Sequence, residues 1–82
     1  VKQIEWSPES LEDMGALEKR NARQIKVAVE RFAEHGTGNV KKLQGIDPPE
    51  FRLRVGDFRV RFQVAGDTLV ILRVLNRKNV YR

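Results

Sequence analysis

The sequence predicts an α+β fold: a short N-terminal strand, a two-helix hairpin, then an antiparallel meander of three or four strands with the helices on one sheet face. Two observations carry this. Apolar residues recur at helical spacing before residue 36, and from Phe51 onward they fall at every second position. Two Gly-Asp dipeptides then cut the alternating region into strand-length pieces.

Residues 2–6 alternate as KQIEW and read as a strand. Ser7-Pro8-Glu9 is a helix start, with Ser as N-cap, Pro in the first turn and an acid beside it. Leu11, Met14 and Leu17 continue that helix, and Gly15 shortens or bends it. Ala22, Ile25, Val29 and Phe32 mark a second helix, which His35-Gly36 ends. Residues 36–50 read as a loop anchored by Leu43, turning at Gly45 and stiffened by Asp47-Pro48-Pro49. Phe51, Leu53 and Val55 then alternate with Arg52 and Arg54, and Phe58, Val60, Phe62 and Val64 alternate with Arg59, Arg61 and Gln63. Residues 68–75 are almost continuously apolar, as in a strand flanked on both sides.

Register follows from the turns. A two-residue Gly56-Asp57 turn sets Val55 opposite Phe58, Arg54 opposite Arg59 and Arg52 opposite Arg61. In the second hairpin a two-residue loop would place Arg73 opposite Val60 in the core. A three-residue Ala65-Gly66-Asp67 loop avoids this and is therefore expected. It turns Val60, Phe62, Val70, Leu72 and Val74 toward the helices. Arg52, Arg54, Arg59, Arg61, Gln63 and Arg73 then share the other face.

With 82 residues, one domain spanning 1–82 is expected. There is no cysteine and one histidine, which excludes disulfides, thiolate zinc sites and a cysteine nucleophile. No apolar run is long enough for a membrane span, and no targeting segment is visible, so the expectation is a cytoplasmic protein without membrane, metal or cofactor. The net charge of +5 is unevenly placed. Residues 1–35 carry 6 basic and 7 acidic side chains; residues 36–82 carry 10 and 4. Arginine keeps its charge and grips phosphate with two parallel hydrogen bonds. An arginine-rich sheet face without acids is either a plain solvated surface or a phosphate-binding one, and the unmixed sign favours the second. His35 reads as a helix-end cation, Trp6 as packing, and Glu9, Glu12 and Asp13 as acids answering a helix dipole.

The segment FRLRVGDFRVRF, the apolar strand after it and the terminal RVLNRKNVYR resemble the RelE family of toxins in bacterial and archaeal toxin–antitoxin pairs. SPESLEDMGAL and VKKLQG, in the same order along the chain, add to the resemblance. It implies a metal-independent endoribonuclease that cuts mRNA in the ribosomal decoding site, inhibiting translation and growth. The substrate 2′-OH attacks the adjacent phosphate and leaves a 2′,3′-cyclic phosphate. By that resemblance Arg52, Arg54, Arg59, Arg77 and Tyr81 are catalytic candidates, and Arg61, Arg73, Lys78 and Arg82 are expected to contact RNA. Asn76 stands where relatives commonly carry His or Lys, and arginine stands at 52 and 54 where they often carry lysine. The expected partners are a cognate acidic antitoxin, the ribosome and mRNA. The alternative is a ParE-like gyrase poison, which binds protein and performs no chemistry; that branch shares the fold but generally lacks the Arg/Tyr set.

Overall fold

A computed structural model describes residues 2–76. Strand β1 (Gln3–Trp6) leads into helices α1 (Pro8–Gly15) and α2 (Lys19–His35); strands β2 (Asn39–Lys42), β3 (Phe51–Val55), β4 (Phe58–Ala65) and β5 (Thr68–Asn76) follow. They form one five-stranded sheet in the order β1-β5-β4-β3-β2. The four later strands are an antiparallel meander, and β1 lies parallel to β5.

Helix α1 begins and helix α2 ends where the sequence places them, while Leu17, expected to continue the first helix, lies in the turn beyond it. Ser7 caps α1: its Oγ accepts from the Ser10 N–H and donates to the Leu72 carbonyl, so one hydroxyl ties the helix start to β5. Gly36 closes α2 in the left-handed conformation, its N–H donating to the Phe32 carbonyl at 2.8 Å. The buried stripe of α2 is Ile25, Val29 and Ala33, spaced by one helical turn. It packs on Leu53, Val55, Phe58, Val60, Phe62, Leu69, Ile71 and Val74 of the sheet. Phe62 is at the centre, with the rings of Phe32 and Phe51 5.4 and 5.5 Å away.

Two expectations are corrected. Asn39–Lys42 is not loop but edge strand β2, pairing with β3 from Asn39↔Arg54 to Lys42↔Phe51. Only Val40 of this strand is half-buried, so its apolar signal is one residue long.

The second correction concerns β4 and β5. Their loop has two residues, Gly66 and Asp67, because Ala65 pairs with Thr68. Gly56 and Gly66 have φ of 58° and 60° while no described non-glycine residue has positive φ, as a type II′ turn requires. That loop would bury Arg73, but a β-bulge intervenes. Phe62 pairs with Ile71 and Arg61 with Arg73, leaving Leu72 as the extra residue. The core therefore takes Leu69 and Ile71, each 1% exposed, in place of Val70 and Leu72, and Val74 stays inside as expected. The Gly56-Asp57 turn gives the expected register between β3 and β4.

Candidate functional site: an arginine cleft

Paired residues on neighbouring antiparallel strands project from the same sheet face. The register thus builds two rows across the sheet: Lys41, Arg52, Arg61 and Arg73 in one, Asn39, Arg54, Arg59 and Leu75 in the other. Like charges facing each other cost about 0.2–1 kcal/mol per pair. Two of these cations are neutralised by acids from outside the strands. Glu50, just before β3, accepts from Arg61 Nη2 at 2.7 Å. Asp13 of α1 accepts from Arg73 Nε at 2.8 Å and Nη2 at 3.2 Å.

Asp13 also accepts from the backbone N–H of Val74 at 2.9 Å. Below Trp6, β1 no longer covers the edge of β5, and this carboxylate takes its place. Burial opposes the Asp13 charge, but the Arg73 hydrogen bonds, the Val74 N–H and the Arg73 charge outweigh it and hold the carboxyl below its usual value. The Asp13 hydrogen bond, and then its charge, raise Arg73 in turn. Asp13 is thus a link between α1 and β5, and the dipole reading is corrected: only Glu9 lies in the first turn of α1, whereas Asp13 lies in the last, where the dipole disfavours a carboxylate. Arg73 shares the arginine face by register, as expected, and its guanidinium is paired with Asp13 of α1.

Arg52, Arg59 and Arg61 line one cleft of about 380 Å³. Its remaining wall is Leu43, Gln44, Ile46 and Leu75. Among the described residues, Arg52 Nε, Arg59 Nη1 and Arg61 Nε are buried and have no hydrogen-bond partner. A buried donor without an acceptor costs roughly 1–3 kcal/mol, and more when it is charged. These three nitrogens are themselves covered, so what the cleft offers an incoming anion is the charge of the guanidinium groups that line it. Arg61 is answered by Glu50, while Arg52 and Arg59 have no acidic partner among the described residues.

Arg54 is exposed and lines a different cleft, beside Arg31 of α2. Arg77, Lys78, Tyr81 and Arg82 lie outside the described residues. No cluster of metal-ligating side chains occurs among the described residues, and none of their helices is long and apolar enough to cross a membrane.

Lys41, Glu50 and the apolar wall are the parts that sequence reasoning missed. Lys41 was hidden because β2 read as loop. Glu50 was hidden because it lies one residue outside the alternating strand. Leu75 falls on the arginine face in the expected register as well as in the structure, but an uncharged residue there gives no signal of a site until the cleft is seen.

The model of the ParE toxin of type II toxin–antitoxin systems matches residues 4–81. The chain belongs to this toxin family. Toxin RelE3 of Methanocaldococcus jannaschii is 34% identical to this ParE-family toxin over a 64-residue alignment, covering 72% of each chain. The toxin also resembles a solved chain of the RelB-RelE antitoxin–toxin complex of Methanococcus jannaschii, at 26% identity and a TM-score of 0.77 over 94% of both chains. A chain of the RelE-RelB complex of Pyrococcus horikoshii OT3 has the same TM-score at 20% identity, covering 93% of the toxin and 94% of that chain, and shares the fold. The toxin is thus a RelE-like α+β protein and the toxin component of a toxin–antitoxin system.

Proposed function

We propose that this toxin is a metal-independent endoribonuclease that cuts mRNA in the ribosomal decoding site through 2′-OH attack, and so arrests translation and growth. The observation that carries the reading is one cleft lined by Arg52, Arg59 and Arg61, of which Arg52 and Arg59 have no acidic partner among the described residues. In-line attack on a phosphodiester builds negative charge on the non-bridging oxygens, and fixed guanidinium groups stabilise that charge. Arg52 and Arg59 carry this role, with Arg61 beside them. Arg77 and Tyr81 keep the catalytic roles the family resemblance implies, Arg54 flanks the cleft, and Lys78, Arg82 and Lys41 hold RNA backbone.

Arginine does not release its proton in proteins and is a poor base. The cleft therefore works by electrostatics, and the ribosome supplies the geometry. Positioning alone is worth roughly 7–11 kcal/mol. The two RelE relatives are solved with RelB antitoxins. We extend that arrangement to this chain: an acidic antitoxin, disordered when free, folds over the arginine face or over the helical hairpin, where Leu11 and Val27 are exposed. The site of action is the cytoplasm, where ribosomes and message meet.

The decisive experiment maps mRNA 5′ ends after induction in cells. New ends within translated codons, lost in Arg59→Ala, support the nuclease. A second reading, a gyrase poison, draws on the ParE description of the matching family model. Stalled gyrase–DNA complexes with intact mRNA would establish it and overturn the first.

A further inference from the structure

The arginine cleft has two unlike walls. One is cationic, from Arg52, Arg59 and Arg61. The other is apolar, from Leu43, Ile46 and Leu75, all half-buried rather than fully covered. A site for phosphate alone has no use for the second wall. Apolar side chains left at the mouth of a charged cleft stay in contact with water unless something flat and apolar covers them.

We infer that Leu43, Ile46 and Leu75 form a platform for a nucleobase, so that the cleft holds one whole nucleotide of single-stranded RNA, with the phosphate on the arginines and the base on the apolar wall. The inference rests on the nuclease reading and adds to it the part of the substrate that is held. Three observations fit this occupant together. The guanidinium groups of Arg52 and Arg59, which line the cleft and have no acidic partner among the described residues, call for an anion. The apolar wall calls for a neutral surface within the same cleft. The volume of about 380 Å³ is that of a small-molecule site rather than of a bare ion.

The platform comes largely from the connection between β2 and β3. Leu43 is fixed there by its N–H, which donates to the Glu50 carbonyl at 2.9 Å. The same Glu50 holds Arg61 through its carboxylate. One residue thus ties the two walls together. Gln44, exposed beside Leu43, adds both donors and an acceptor to the lining of the same cleft.

The test titrates isotope-labelled toxin with inorganic phosphate, ribose 5-phosphate, the four nucleoside 5′-monophosphates and an acidic, leucine-containing peptide, followed by NMR. Nucleoside monophosphates are expected to bind about tenfold more tightly than ribose 5-phosphate, with shifts at Leu43, Ile46 and Leu75. Ile46→Ser, a loop substitution, is expected to erase that tenfold difference and leave phosphate binding unchanged. Equal affinity for ribose 5-phosphate and the nucleotides would overturn the base platform while leaving the phosphate site standing. Loss of phosphate binding in folded Ile46→Ser would also overturn it. Capture of the peptide with no nucleotide binding would make the cleft a peptide site and overturn the platform. Failure of every anion to bind would overturn both the platform and the nuclease reading beneath it.

Discussion

Arg59 and Arg61 lie two residues apart on β4, and one of them is neutralised. Arg61 is paired with Glu50, while Arg59 has a buried Nη1 with no partner among the described residues. Arg59→Ala should therefore lower mRNA cleavage by about 10²–10³-fold with little loss of stability, measured on ribosome-bound message. Glu50→Ala should release Arg61 and steepen the salt dependence of RNA binding by about one unit of slope. Asp13 gives a stability prediction. Its folded pKa lies below its unfolded value, so its contribution is complete above the ordinary carboxylate pKa, about 3.9, and fades as pH falls through the lower folded value. Asp13→Ala should cost about 1–2 kcal/mol at neutral pH, by urea denaturation. That gap should close on acidification below about pH 4. The arginines were legible in the sequence, because alternation states which face they share. Their acidic partners were not. Asp13 lies 60 residues from Arg73, and no local pattern announces such a pairing.

At the scale of elements, the bulge at Leu72 decides which half of β5 faces which way. Strict alternation cannot bury both Ile71 and Val74, three residues apart, on one face. The extra residue allows it and keeps Arg73 out of the core. Ile71→Ala should cost about 2–4 kcal/mol, as a buried aliphatic truncation does. Val70→Ala, at a half-buried position, should cost under about 1 kcal/mol, and urea unfolding of both variants measures the contrast. The uniform register expected from the sequence would give the opposite order. The helices were readable because their caps are local: Ser7-Pro8 at one start and Gly36 at one end. A bulge leaves no such mark in a strand that is apolar almost throughout. Strand β2 was equally hidden, since three of its four residues are exposed and polar.

At the scale of the molecule, the basic half of the chain supplies the arginine face and the near-neutral half supplies the helices behind it. Long-range attraction to RNA should therefore depend on ionic strength. Identical mRNA, free and ribosome-bound, should be cut efficiently only in the second case, and less as salt rises. Efficient cutting of free RNA at the same positions would show that the cleft positions its substrate unaided. The parallel pairing of β1 with β5 bears on the order of events during synthesis. The hydroxyl of Ser7 reaches the carbonyl of Leu72, 65 residues later, and β1 has no other strand neighbour among the described residues. Chains emerge N-terminus first, and contacts between distant segments form late. While the middle of the message is being read, β1 waits unpaired, and the arginine cleft lacks the wall that Leu75 completes. Manufacture and action are thereby separated in time: the ribosome that makes the toxin has translated past β5 before the toxin can assemble its cleft.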